Sequence, residues 1–276
     1  MPSENNALLQ FPKDSTVSRI GLVPPHTNHL QVGKGDSPFG TVLEEQATLP
    51  QNALGEVRVL AIPFDTLSNS DQASHYFQMM NQWVADVHSS DMVAQPMTFQ
   101  GVQLIWSPTR IAIMASAERL PAIRATLLEF TAYETELRQL ENQLQTAWPD
   151  LEADAALAFE FGAKTMRKKE TLRKRFLETM LLSAKLARIG PYIYAPHFYP
   201  PTLASQLSER LRDRLRQMHR HEFLCDQLEV FESIYEQAGQ RASDYAHTRT
   251  GNILECIIII LLVAQLMLGL MEVLTK

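Results

Sequence analysis

The sequence has little cysteine: Cys225 and Cys256 are the only two among 276 residues, and they lie 31 positions apart. Two cysteines at this spacing do not suggest the disulfide framework that is usual in oxidising compartments. The sequence therefore predicts a chain that works in a reducing compartment. Cys256 lies inside an apolar run and is interpreted as a small apolar residue of that run.

The sequence also lacks the short motifs that accompany most enzyme chemistry. It has no Walker loop, no G-x-G-x-x-G, no H-E-x-x-H, no G-x-S-x-G and no pair of C-x-x-C motifs. Two histidines occur in HRHE at 219–222, but on a helix they point about 200° away from each other and cannot share a metal ion. We therefore expect no enzymatic activity, no cofactor, no metal site and no small-molecule substrate.

An apolar segment is absent from the N-terminus as well. MPSENNALLQFPKDS has no apolar core, so a signal peptide is not predicted. Residues 1–52 contain VPPH and GKGDSPFG but no sustained hydrophobic periodicity, which predicts a flexible leader.

A long apolar run is present at the other end, GNILECIIIILLVAQLMLGLMEVLTK at 251–276. Residues 253–274 would form a helix of about 33 Å, enough to cross a hydrocarbon core of roughly 30 Å. Four consecutive isoleucines followed by leucines leave no polar face, so an amphipathic surface helix is excluded and a buried core helix is the alternative. The run predicts a single transmembrane helix at 253–274.

Basic residues flank this run unequally. Arg241, His247 and Arg249 precede it, only Lys276 follows it, and Arg249 and Leu254 mark the point where the helix enters the bilayer. Because positive residues favour the cytoplasmic side, we expect the large N-terminal part to lie in the cytosol or matrix. So little chain follows the run that late insertion as a tail anchor is expected.

The polar residues of the run share one stripe with heptad spacing of 3, 4, 3, 4 and 3. Its members are Glu255, Ile258, Leu262, Gln265, Gly269 and Glu272. Polar groups are costly against lipid but can hydrogen-bond to another helix, and a glycine permits close approach. The stripe predicts helix packing within the membrane; the alternative, that both glutamates merely mark the interfaces, leaves Gln265 unexplained.

Upstream of the run, the sequence predicts an α+β fold. A small mixed α/β domain is expected at 55–117, with a buried strand at 57–64, an amphipathic helix at 73–87 and a hairpin at 102–115 whose turn is SPTR.

Long helices, as a helical hairpin or coiled coil, are expected at 121–252. The first should end at WPD near 147, and the second should run from 151 to 188 and stop at Gly190-Pro191, before a stiff connector, GPYIYAPHFYPP. The last should begin near Thr202 and continue at least to Gly239.

The last helix contains a seam with heptad spacing, which slips once before the membrane stripe. It consists of Leu228, Phe231, Tyr235, Ala238, Ala242, Tyr245, Arg249 and Asn252. Such a seam is typical of a coiled coil or a long antiparallel helix pair. Packing against the second helix of the same chain is our first interpretation, and oligomerisation is the second.

Positive charge is concentrated on the second predicted helix. Residues 164–188 contain nine Lys or Arg and two Glu, a net +7, whereas the whole chain is −6 and its remainder therefore −13. The candidate patch for a partner consists of Lys164, Arg167, Lys168, Lys169, Arg173, Lys174 and Arg175. Three interpretations stay open: a solvated face paired with acidic neighbours, binding of anionic lipid, or binding of RNA or a ribosome.

The order of these parts resembles the RMD family ("required for meiotic nuclear division"). The local match is an arginine followed by L-E-x-I-I-I and an apolar run, which Arg249, Leu254, Glu255 and 257–259 fit. Gln265 stands where the family commonly has a second acid. The resemblance implies an inner-membrane protein without known enzymatic activity, and mitochondrial members are implicated in anchoring ribosomes at the membrane. This chain has no Arg-rich transit peptide, so it resembles a bacterial member in the cytoplasmic membrane.

These features predict a noncatalytic, membrane-anchored scaffold or tether that self-associates through its C-terminal span. The alternative is a subunit of an oligomeric ion channel, because a small mixed domain, long helices and a span also resemble CorA-type magnesium channels. CorA-type proteins have two spans and a G-M-N loop, which this sequence lacks, and a pore lined by Gln265 among leucines would be mostly dry.

Overall fold

The structure is a computed structural model that describes residues 11–22, 42–43, 55–65, 70–85, 93–159, 166–194 and 202–274, without the side chains of 42–43 and 268–274. Most of the predicted leader, Lys164, and 195–201 of the predicted connector lie outside the described residues. The chain divides into two compact units. Unit 1 consists of Met1–Gln139 and Ile189–His221, and unit 2 of Leu140–Arg188 and Glu222–Lys276.

Unit 1 contains a six-stranded mixed sheet with the strand order β2-β1-β3-β6-β5-β4. The strands are β1 (Thr16–Leu22), β2 (Val42–Leu43), β3 (Gly55–Pro63), β4 (Gln95–Phe99), β5 (Val102–Trp106) and β6 (Arg110–Ala115). β3 and β6 are parallel, and the other neighbouring strands are antiparallel. The mixed sheet and the helices that follow it confirm the predicted α+β class.

The strand predicted at 57–64 and the hairpin predicted at 102–115 are both present, as β3 and as β5 with β6. In the hairpin turn, the Ser107 hydroxyl donates to the Arg110 carbonyl at 2.9 Å and accepts from the Arg110 amide at 3.0 Å. β4 was not predicted. It joins β5 through Gln100 and Gly101, whose φ values of 46° and 78° give the left-handed turn that suits a two-residue hairpin.

β1 lies within the predicted flexible leader, and the expectation of irregular structure is wrong for these residues. The strand pairs with β3 along its whole length, from Thr16 opposite Ala61 to Leu22 opposite Gly55. This pairing buries Ile20 and Leu22 almost completely. The strand is stabilised by a partner about 40 residues away, which local periodicity does not report.

Helices cover both faces of the sheet in unit 1. On one face, α1 (Ser70–Ala85) packs Met80 and Trp83 against the side of the sheet that carries Leu60 and Ile105, and it confirms the helix predicted at 73–87 through Ala85. On the other face, α2 (Leu120–Ala155) and α4 (Leu203–Arg214) share a core with Trp106. Trp106 donates its indole N–H to the Thr131 hydroxyl at 2.9 Å.

The break predicted at WPD is wrong, because α2 continues through Pro149 to Ala155. A proline removes one hydrogen bond of the helix, a cost that surrounding contacts can offset. In unit 2, Trp148 packs edge-on against Phe231 with ring centroids 5.0 Å apart, and Leu151 is buried. Contacts on both sides of Pro149 therefore stabilise the helix as one continuous element.

The stop predicted at Gly190-Pro191 is also wrong, because α3 (Lys169–Tyr194) passes through both residues. Ile193 is buried beyond them, and the Tyr192 ring stacks on Tyr133 at 5.1 Å within unit 1. The start predicted near Thr202 is confirmed, since the Thr202 hydroxyl caps α4 by accepting from the Ser205 amide at 3.2 Å.

The last predicted helix is divided into α4 and α5 (Gln217–Leu274), so the expectation of one uninterrupted helix is wrong. The division lies at Arg216, which has φ 51° without being a glycine. A buried carboxylate in unit 1 fixes the start of α5. Glu134 accepts from Gln217 Nε2 at 2.6 Å and from Arg220 Nη1 at 2.8 Å, as well as from Arg138 Nε at 2.5 Å.

Candidate functional site

The apolar C-terminal part of α5 is the first candidate functional element. Among the described residues, α5 is the one helix long and apolar enough to cross a membrane, with a mean hydropathy of 2.0 in its most apolar stretch and none of that stretch buried. From Ile253 to Met267 the side chains are exposed. The prediction of an apolar terminal helix is confirmed, and its crossing of a bilayer rests on length and composition.

The residues of the predicted membrane stripe all lie on this one helix. Glu255, Ile258, Leu262 and Gln265 are exposed, as are Arg249 and Leu254 at the predicted point of insertion. Gly269 and Glu272 belong to the same helix. Packing of this stripe against another helix stays a prediction.

The seam of the last helix packs within the chain, as the first interpretation predicted. Five successive members are buried, and Tyr245 is half-buried, while Arg249 and Asn252 are exposed. The buried members are Leu228, Phe231, Tyr235, Ala238 and Ala242. The last buried residue of the seam is Ala242. At about 1.5 Å per residue, it lies about 16 Å along the helix from Ile253, where the apolar segment starts.

Two helices of unit 2 contact this seam side of α5. On α3, the predicted partner, the Ser183 hydroxyl donates to Glu232. On α2, Trp148 packs against Phe231, a contact that was not predicted. Because Arg175 hydrogen-bonds Tyr235 and Ser183 bonds Glu232, α3 runs antiparallel to α5.

The predicted basic patch is partly neutralised within unit 2. Asp154 on α2 is only 1% exposed, and it accepts from Lys168 Nζ at 3.1 Å and from Arg175. Arg175 also reaches Asp150 at 2.7 Å. For Lys168 and Arg175, the structure therefore matches the interpretation in which basic residues pair with acidic neighbours.

These ion pairs also explain two shifted pKa values. Burial lowers the pKa of Arg175, but the carboxylates of Asp154 and Asp150 outweigh it and raise that pKa above its usual value. For Tyr235, burial raises the pKa to about 12, against the opposing effect of the Arg175 charge. The cluster is thus a structural ion-pair network with a buried phenol.

The other described members of the patch are exposed. Arg173 lies 4.0 Å from Glu170, and Lys174 lies 3.8 Å from Glu178, both with exposed side chains. Arg167 and Lys169 are exposed as well. Exposed pairs at such distances contribute little stability and leave the cations accessible to a partner. Binding of a partner by this patch stays a prediction.

The two histidines of HRHE lie in different surroundings. His219 is exposed, whereas His221 is 6% exposed, with Nδ1 3.3 Å from the Tyr194 hydroxyl. Among the described residues, no group of three or more His, Cys, Asp or Glu side chains could hold a metal ion.

An open cavity of about 360 Å³ in unit 1 was missed by sequence reasoning. Pro96, Met97 and Thr98 of the edge strand β4 line it, together with Arg210 and Arg214 of α4. The Arg210 guanidinium lies 3.9 Å above the Phe99 ring, and Arg214 donates to the Pro96 carbonyl. The only sequence signal was a pair of arginines four residues apart, which is common on helix surfaces. Both guanidinium groups already have protein contacts, so this cavity is a weaker candidate than α5.

No protein-family model and no curated protein matches the chain. Two solved structures from Methanocaldococcus jannaschii are similar at low levels. For the soluble domain of CorA the identity is 8% and the TM-score 0.33, and the match covers 83% of this chain and 97% of the other. For the complete CorA magnesium transporter the identity is 11% and the TM-score 0.34, with 88% and 81% covered. Similarity at these TM-scores carries no conclusion about this chain.

Proposed function

We propose that this chain is a noncatalytic scaffold that α5 anchors in a membrane and that self-associates along the predicted membrane stripe. The observation that carries this proposal is the continuity of α5. One helix of 58 residues holds both the buried seam of unit 2 and the exposed apolar segment. Fifteen consecutive residues, 253–267, are mostly large and apolar and are exposed, and a bilayer is the environment that such a surface fits.

Membership of the RMD family is part of the proposal, supported by the match at Arg249, Leu254 and Glu255. Family membership implies a candidate partner, which is a ribosome or another phosphate-rich assembly. The chain would hold this partner near the bacterial cytoplasmic membrane, with its own large N-terminal part in the cytoplasm. The exposed cations of α3 would contact such a partner.

Membrane anchoring is tested first by alkaline carbonate extraction of membranes that contain the full chain. A spanning helix stays in the membrane fraction, and release into the supernatant would contradict the proposal. Protease protection of an N-terminal tag in sealed vesicles then reports the orientation.

The stripe is tested by Gln265→Leu, with Leu266→Met as a matched control one residue off the stripe. An interhelical hydrogen bond in a membrane contributes about 0.6–2 kcal/mol, so the variant should weaken self-association roughly 3- to 30-fold. Sedimentation equilibrium in detergent measures this. An unchanged oligomer for Gln265→Leu would contradict the stripe. A stable oligomer that also conducts ions in liposomes would favour the channel alternative.

A further inference from the structure

The membrane stripe follows heptad positions that continue back along α5 into unit 2. Steps of seven residues from Glu272 through Gln265 and Ile258 lead to Gly251, Asp244, Gln237, Val230 and Phe223. The same steps from Leu262 and Glu255 lead to Thr248, Arg241, Ile234 and Gln227. We call the positions in unit 2 the outer face of α5.

From Gln227 onward, each residue of the outer face directly precedes a residue of the buried seam. Val230 precedes Phe231, Ile234 precedes Tyr235, and each such step turns an α-helix by about 100°. The seam is occupied by α2 and α3 of the same chain. The outer face is therefore rotated away from those contacts, and its residues are exposed except Gln227 and Ile234, which are partly buried.

Exposed apolar side chains mark the outer face independently of the membrane stripe. In 222–252 of α5, the large apolar side chains that the structure shows as exposed are Phe223, at 62%, and Val230, at 47%. Both fall on the outer face, seven residues apart. In helices that pack against a partner helix, large apolar residues commonly occupy positions that repeat every seven residues.

Charge on the outer face fits a second copy of the chain in parallel orientation. Arg241 and Asp244 are exposed, oppositely charged and three residues apart. In a parallel, two-fold symmetric pair of α5 helices, Arg241 lies opposite its own copy and one turn from Asp244 of the other copy, so the two arginines and two aspartates form a cluster with no net charge. Two copies inserted in one bilayer have this parallel orientation, and confinement to the membrane raises their effective concentration.

We propose that self-association extends beyond the bilayer and that the outer face of α5, from Phe223 to Gly251, is an interface between two copies of this chain. The interface is then continuous over about 74 Å of helix, from Phe223 to Glu272. A left-handed supercoil keeps a seven-residue repeat in contact over that length. The inference rests on the proposed membrane anchoring.

Cysteine cross-linking in native membranes tests the interface. In a Cys225→Ser/Cys256→Ser background, Val230→Cys reports the outer face and Gln265→Cys the membrane stripe. Glu229→Cys is the matched control, because Glu229 is also exposed, at the same depth, and about 100° around the helix. Disulfides form only between Cα atoms closer than about 7 Å. Maleimide labelling of each reduced variant confirms that its thiol is accessible.

Oxidation should give a cross-linked dimer for Val230→Cys and Gln265→Cys, and little or none for Glu229→Cys. Equal cross-linking of Glu229→Cys and Val230→Cys would overturn the inference. So would cross-linking at Gln265→Cys without cross-linking at Val230→Cys, although the membrane stripe would then stand. If no position cross-links in a chain that carbonate does not extract, anchoring stands while self-association and the outer face both fall. Extraction by carbonate would instead contradict the anchoring itself.

Discussion

At the scale of single residues, two buried carboxylates organise the helices. Glu134, fully buried in unit 1, accepts from Gln217 and Arg220 at the start of α5. Asp154, buried in unit 2, joins α2 to Arg175 of α3. A buried carboxylate is stable only with charged donors around it, so loss of either acid would leave a cation without its main partner.

The phenol of Tyr235 gives a prediction about pH. Burial raises its pKa to about 12, whereas the pKa of a tyrosine in an unfolded chain is about 10. Between these values the folded state keeps a proton that the unfolded state loses, so the free energy of unfolding should fall as pH rises from 10 toward 12. Below pH 10 this contribution is fully present.

Tyr235→Phe should remove this part of the pH dependence, which is about 3 kcal/mol at its upper limit. The measurement is urea unfolding of the full chain in detergent at several alkaline pH values, for the wild type and for Tyr235→Phe. Other groups titrate in the same range, so the difference between the two curves is the quantity of interest. Parallel curves would contradict the buried-phenol assignment.

At the scale of elements, local patterns predicted what depends on neighbouring residues. The β5–β6 hairpin, α1 and the buried seam of α5 follow from alternation, period and turn residues that lie close together in the sequence. β1 was missed because its partner β3 is distant in sequence. The ends at WPD and at Gly190-Pro191 were wrong because packing beyond each proline outweighs the lost hydrogen bond.

The candidate site was predictable to a similar degree. The apolar segment and its stripe are visible in the sequence because they lie on one helix. Which cations of the basic patch are neutralised was not visible, because Asp154 lies 14 residues from Lys168 and on another helix. The outer face became recognisable only once the structure showed that the seam is occupied and Val230 is exposed.

A glycine in the interior of α5 gives a prediction at this scale. Gly239 lies inside the helix, and a Cβ added there would meet no atom within 4 Å. Alanine favours the helix over glycine by about 1 kcal/mol, so Gly239→Ala should raise the melting temperature by about 2–4 °C.

Gly190→Ala in α3 is the matched control, because its Cβ would lie 3.4 Å from the His221 ring. This closer contact should offset part of the gain in helix propensity. Thermal unfolding monitored by circular dichroism compares both variants. A lower melting temperature for Gly239→Ala would contradict an unoccupied surface at this position.

At the scale of the whole molecule, charge is distributed very unevenly. The chain carries −6 overall, yet residues 164–188 carry a net +7. Unit 2 neutralises Lys168 and Arg175 internally. Among the described residues of this segment, the other exposed cations are Arg167, Lys169, Arg173, Lys174 and Lys185. Attraction between such cations and a phosphate-rich partner depends on ionic strength, because the screening length falls from about 10 Å at 0.1 M salt to about 3 Å at 1 M.

This distribution predicts which substitutions release a partner and which do not. Arg173→Glu with Lys174→Glu should reduce recovery of ribosomal components from gently solubilised membranes, since both side chains are more than three-quarters exposed. Lys13→Glu with Arg119→Glu changes the net charge equally at exposed positions outside the basic segment and should leave recovery unchanged. Pull-down at low and high salt, with identification of co-migrating protein and RNA, makes the comparison. Equal losses in both variants would show that net charge, not the exposed face of α3, controls binding. If Arg173→Glu/Lys174→Glu still retains the partner, this face is only solvated.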